Sequence, residues 1–133
     1  MKHSLYIRTR VFSEQSTEKT FMTGKNGKKY AIRANHPVAQ RKRNRIQAAA
    51  VKEVWKCEPR NIQLPCKVTL ISISEREKDF DNFVYSMKFF RDAIADLILP
   101  GMPPGRADGD KRITWDYKQE KGSYGVRIEI EHE

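Results

Sequence analysis

The clearest periodicity in the chain lies between positions 83 and 97. Phe83, Met87, Phe90, Ile94 and Leu97 recur at spacings of 4, 3, 4 and 3, which aligns them along one stripe of an amphipathic helix. A longer helix is predicted from Asn35 to about Lys56. Asn35 can cap its free N–H groups, and Pro37 is tolerated in a first turn. Ile46, Ala50, Val54 and Cys57 recur at 4, 4 and 3 and are expected to face the core, and Glu58-Pro59 ends the run.

Other segments follow the two-residue period of a strand. Ser4 to Phe12 alternates weakly, and Ser13 to Thr23 is polar and reads as loop. Lys25-Asn26-Gly27-Lys28-Lys29-Tyr30 has the Asn-Gly pair of a hairpin turn, with flanking strands ending near Met22 and beginning near Tyr30. Lys67 to Ser74 is rich in β-branched residues and predicts a strand. Glu75 to Phe80 is a charged connection, and Leu99 to Ala107, with three prolines and two glycines, is a loop. Ile113, Trp115 and Tyr117 alternate with polar residues, Gly122 to Gly125 turns the chain, and Val126, Ile128 and Ile130 mark a final hairpin strand. The expected fold class is α+β: a single small mixed β-sheet with two main helices, in one domain over 1–133.

Composition narrows this little. A chain of 133 residues suits one domain. With 38% apolar and 32% charged residues, and six Phe and two Trp, it is too apolar and aromatic to be disordered. No apolar run is long enough to span a membrane, and Met1 to Tyr6 does not resemble a signal peptide. Cys57 and Cys66 fit reduced thiols, so the expected compartment is cytoplasmic.

Charge changes the picture. The net charge is +9, but residues 1–60 hold 15 basic and 4 acidic side chains and residues 61–133 hold 11 and 13. A basic half fits a polyanion, and a mildly acidic half fits something that needs carboxylates. Arg41, Lys42, Arg43 and Arg45 fall within one and a half turns of the first helix, and Lys25, Lys28 and Lys29 sit on the predicted hairpin tip.

The acidic residues of the second half gather at strand ends. Asp79 and Asp81 follow the strand at 67–74, and Asn82 could cap the helix there; Asp108 and Asp110 precede the strand at 113. An antiparallel pairing of those two strands, the simple arrangement, would bring the carboxylates together. Three converging carboxylates without His or Cys form a hard ligand set suited to Mg²⁺ or Mn²⁺. The same aspartates also read as helix-start and turn residues. Asp81, Tyr85, Lys88 and Asp92 share a polar line away from the apolar stripe. Lys88 there either approaches a phosphate held by the aspartates or pairs with Asp92 on the surface.

These residues resemble the RusA family of Holliday-junction resolvases, common in prophages. The resemblance rests on Asp79-Phe80-Asp81-Asn82, Lys88, Asp92-Ala93-Ile94 and Asp110-Lys111-Arg112-Ile113, and on the 115–130 hairpin pattern. It covers roughly residues 66–131, a catalytic-motif part; residues 1–60 match only in character, as a basic DNA-binding part. In the best-known members the lysine stands four residues after the second aspartate, where this chain has Tyr85, and the placement of Lys88 a turn later resembles a second branch of the family; the final acid is usually an Asp-Asp pair, where this chain has Asp108-Gly109-Asp110.

The resemblance implies a homodimeric, Mg²⁺-dependent endodeoxyribonuclease that cuts four-way DNA junctions by paired nicks in recombination and repair, bacterial or phage-encoded, with Mn²⁺ able to substitute and no small-molecule cofactor. Asp79, Asp81 and Asp110 would hold the metal, and Lys88 would complete the catalytic set. Lys25, Lys28, Lys29, Arg41, Lys42, Arg43 and Arg45 are then expected to contact DNA phosphates. The competing expectations are a catalytically degenerate nucleic-acid-binding protein, a metal-dependent nuclease for other branched substrates, and a phage structural protein with a basic surface.

Overall fold

A computed structural model describes residues 2–8, 20–32, 36–57, 61–77, 79–103 and 106–133, apart from the side chains of Thr20 and Asn82. The elements are β1 (Lys2–Ile7), β2 (Thr20–Thr23), β3 (Lys29–Ile32), α1 (Pro37–Cys57), β4 (Cys66–Ser74), α2 (Phe80–Ser86), α3 (Lys88–Ile98), β5 (Ile113–Lys121) and β6 (Gly125–His132), with a 3-10 turn at Ala107–Gly109. The class is α+β, as expected. The main sheet has four strands in the order β1-β6-β4-β5, and β2 and β3 form a separate two-stranded ribbon.

The 83–97 stripe does what its spacing dictates. Phe83, Met87, Phe90 and Ile94 are all buried, and Leu97 packs against the same core. The expected single helix is divided into α2 and α3 at Met87, whose N–H is shared between the carbonyls of Phe83 and Val84. The Ser86 hydroxyl donates to the Phe83 carbonyl at 2.7 Å, a local bond that competes with the helical ladder and favours a bend. Leu5, Ile7, Val68, Leu70, Val126, Ile128 and Ile130 complete the core from the sheet face that the helices cover.

The face of α1 differs from the expected one. Ile46 is 58% exposed and Cys57 is exposed, while Ala39, Gln47 and Val51 are buried; Ala50 and Val54 are only partly so. The helix is turned by about one residue because Gln47, not Ile46, lies in line with Val51 and Val54. The Asn35 cap and the Glu58-Pro59 stop lie outside the described residues. Within them, the His36 Nδ1 accepts from the Val38 N–H at 3.1 Å and caps the first turn.

The predicted first strand begins earlier, at Lys2, and its residues beyond Arg8 lie outside the described set. The hairpin strand expected to end near Met22 is Thr20–Thr23, which pairs with β3, so the loop expected over 13–23 does not include its last four residues. In the ribbon turn only Gly27 takes a positive φ, 78°; the Gly27 N–H bonds to the Gly24 carbonyl, and the Gly24 N–H to that of Lys28. The Asn26 side chain accepts from the Lys28 N–H instead of entering the left-handed region itself.

Strand order holds the two largest departures from expectation. β5 pairs with β4 in parallel, from Cys66↔Ile113 to Ser74↔Lys121. β6 pairs with the other edge of β4, antiparallel, from Cys66↔His132 to Ile73↔Gly125. So β5 and β6 are not a hairpin: β4 lies between them, and the turn at 122–124 arches over its end. The Gly122 N–H reaches the Ser74 carbonyl at 3.2 Å. A Cβ at Gly122 would come within 3.0 Å of the Ile73 side chain, which is why the arch begins on a glycine. The open face of the sheet carries an ion-pair layer in which Lys2 meets Glu129, and Arg127 meets Glu129 and Glu120.

Both cysteines are free, Cys57 exposed and Cys66 buried, and burial pushes the Cys66 thiol up. No helix among the described residues is long and apolar enough to cross a membrane.

Candidate acidic site and nucleic-acid interface

Asp79 and Asp81 frame the start of α2. Asp79 is extended, at φ −55° and ψ 145°; its carbonyl accepts from the Phe83 N–H at 2.9 Å, and its side chain makes no cap bond. Asp81 lies in the first turn, and both carboxylates are exposed. Phe80, between them, is 65% exposed. The side chain of Asn82 lies outside the described set.

Asp110 is placed differently. Its Oδ1 accepts from the Arg112 backbone N–H at 2.9 Å and from Nε at 3.0 Å, and its Oδ2 accepts from Nη2 at 2.9 Å. This grip holds the carboxyl down at about 2, from an ordinary 3.8. Parallel pairing sets Asp110 just before β5, opposite the start of β4, whereas Asp79 and Asp81 follow the end of β4. Nine strand residues lie between those ends, on the order of 25 Å. The expected antiparallel convergence is therefore corrected. Among the described residues no three His, Cys, Asp or Glu side chains come together to hold a metal ion.

Arg112→Ala is expected to raise the Asp110 titration midpoint, followed by carboxyl-carbon NMR, from about 2 toward 3.8. Because the folded value is depressed, the pairing adds stability above the ordinary carboxylate range and loses it as pH falls through the folded value. An unchanged midpoint would mean that the pair does not form in solution.

Lys88 begins α3 and is exposed. Asp92, one turn on, is raised above the ordinary carboxylate range, first by burial and then by the charge of Asp108, while Lys88 and Arg91 oppose the rise. The Tyr85 hydroxyl accepts from Gln40 Nε2 at 2.9 Å. That bond links the first turn of α1 to α2, one turn beyond Asp81.

The basic residues divide by orientation. Arg41, Lys42 and Arg45 are exposed on α1, and Val38, Arg41, Asn44 and Arg45 line a shallow depression there. Arg43 turns inward and is partly buried, with its Nε and Nη1 shielded from solvent. Lys25, Lys28 and Lys29 are exposed at the ribbon tip.

One polar cluster among the described residues, centred on Arg91, lies outside what the sequence reading singles out. Arg91 Nε lies 3.3 Å from Asp108 Oδ2, Nη2 donates to the Asp108 carbonyl at 3.2 Å, and Nη1 donates to the Tyr117 hydroxyl at 2.9 Å. The guanidinium lies 4.7 Å from the Trp115 ring centroid, and the Trp115 indole N–H also donates to the Asp108 carbonyl. The cluster pins the loop before β5 to the middle of α3. Its one sequence signal is the alternation of Trp115 and Tyr117, which puts both aromatics on one face of β5.

Arg91→Ala is expected to cost about 2–3 kcal/mol, between a surface pair and a fully buried one, because both partners are about a quarter exposed. Arg91 also holds Asp92 down. Its loss lets the folded Asp92 rise further, so the deficit grows with pH and is larger at pH 7 than at pH 4. Urea melts at the two pH values check this, and equal deficits would exclude the coupling.

No protein-family model matches the chain, and a search of curated proteins found no match.

Proposed function

We propose that the chain is a RusA-type, divalent-metal-dependent endodeoxyribonuclease that nicks four-way DNA junctions as a homodimer. The observation that carries this reading is the Gln40–Tyr85 bond, which joins the basic helix to the helix that has Asp81 in its first turn. A polyanion lying along Arg41 and Arg45 would pass close to the exposed aspartates.

The donor chemistry of Asp79 and Asp81 fits Mg²⁺, which is commonly held by one or two carboxylates plus substrate phosphates. Asp110 does not join them, since it stands at the other end of β4 with both its oxygens held by Arg112. Bound there, the ion would lower the pKa of a water and neutralise charge on the scissile phosphate. Asp79 and Asp81 would hold it, and Lys88, exposed at the start of α3, would supply positive charge to the developing anion. Arg41, Lys42, Arg45 and the ribbon lysines hold the backbone by displacing counterions. Two-fold symmetry of a homodimer would make the cuts paired.

The test is a synthetic four-way junction incubated with Mg²⁺ or Mn²⁺ beside a linear duplex of the same arms. The expected result is paired nicks in the junction alone. Cutting of both substrates would shift the reading to a general nuclease. A second reading, a non-catalytic DNA-binding module, is favoured by the hold of Arg112 on Asp110. It predicts salt-sensitive binding and no nicks with either ion.

A further inference from the structure

We propose that the β2–β3 ribbon is a stacking arm for unpaired nucleic-acid bases, with Phe21 as its platform. The inference rests on the DNA-binding reading and adds to it a substrate feature, an unstacked base, that phosphate contacts alone do not need.

The ribbon runs from Thr20 to Ile32 and contains no Asp or Glu, while Lys25, Lys28 and Lys29 crowd its tip. Its aromatics are turned outward: Phe21 is 63% exposed and Tyr30 48%. A Phe this exposed forgoes most of the free energy that burial of its ring would supply. The register shows how the ring is presented. Phe21 stands opposite Ala31, so its cross-strand neighbour is one methyl group and the ring is left uncovered. The next pair on that face is Thr23↔Lys29, about 7 Å along the strand. One face therefore offers an aromatic plane with an ammonium beside it. The opposite face carries Met22 and Tyr30, whose hydroxyl lies 3.7 Å from the Met22 sulfur, and ends on buried Ile32, which anchors the ribbon.

An aromatic plane flanked by lysines in a segment free of acids matches a single strand. Bases stack on the ring whatever their sequence, and phosphates take the cations. A duplex offers no free base face, so Phe21 adds nothing to its binding. A branched junction offers unstacked bases where its arms meet.

The experiment uses the full chain and fluorescence anisotropy with a dye-labelled oligothymidine, a duplex of equal length and a four-way junction. Phe21→Ala is expected to weaken single-strand binding by about 5- to 150-fold, the range for loss of one stacked base, and to leave duplex binding within about twofold, since phosphate attraction alone holds a duplex. Phe21→Trp retains the affinity. Lys28→Ala with Lys29→Ala weakens both ligands and lowers the single-strand salt slope by about 0.7 for each phosphate that no longer meets a lysine. Because Phe21 is exposed, its variants melt like the parent. A parent that binds DNA while Phe21→Ala binds the single strand just as tightly overturns the stacking arm alone. A parent that binds none of the three ligands overturns the DNA-binding reading and the arm with it.

Discussion

Asp81→Asn is expected to bind a four-way junction as tightly as the parent chain and to leave it uncut in Mg²⁺. The substitution keeps the side-chain volume and an oxygen donor but removes the negative charge that a hard cation requires. Loss of a residue that merely orients a metal ligand commonly costs 10- to 100-fold, so loss of a ligand itself should cost at least about 100-fold in nicking rate. Binding should not fall, because removing a carboxylate beside a polyanion removes repulsion, and among the described residues Asp81 makes no side-chain bond that holds the fold. Gel shift and nicking assays on one junction read the two effects apart. Normal cutting by Asp81→Asn would sink the assignment. Asp110→Asn is the informative companion. Equal loss would contradict the described separation of Asp110 from Asp79 and Asp81; undiminished cutting would mean that Asp79 and Asp81 suffice.

Phe90→Ala is expected to remove about 3–5 kcal/mol of stability. Phe90 is fully buried on α3, in one cluster with Met87, Ile94 and the inward residues of β4 and β6. Removal of the ring combines a forfeited transfer free energy with an unfilled cavity, because the strands on one side and α1 on the other cannot both close in. A domain of this size has about 5–15 kcal/mol in all, so the variant stands near the edge of folding. Urea denaturation measures the deficit directly. Phe80→Ala, on the same helical pair but 65% exposed, should change stability by less than about 0.5 kcal/mol. Similar deficits for the two would contradict the described packing.

The contrast shows which features were legible in the chain. The 83–97 stripe was readable because burial on one side of a helix writes itself as a 3.6-residue period. The ribbon turn was readable because Gly27 supplies a local backbone state. The face of α1 was misjudged by one residue, since hydrophobicity favours Ile46 and nothing local says that Gln47 is the residue enclosed. Strand order was not legible, because pairing of Cys66 with both Ile113 and His132 depends on contacts across dozens of residues. The candidate site inherits that limit: Asp79 and Asp81 are neighbours by sequence, but the place of Asp110 follows from the direction of β5. Arg91 was hidden for a related reason. It lies at the border of the apolar stripe, and its partner Asp108 is reached only when the loop before β5 folds back along α3.

The arch over β4 has a kinetic consequence. Hairpins close in about 1–10 μs and often give a chain its earliest structure, yet β5 and β6, joined by only three residues, never bond to each other. They can zip only onto the two edges of a strand made some forty residues earlier. The shortest connection in the main sheet therefore cannot seed it, since β4 lies between β5 and β6. The chain should thus fold at the slow pace of non-local sheets, despite a helical content that would suggest haste.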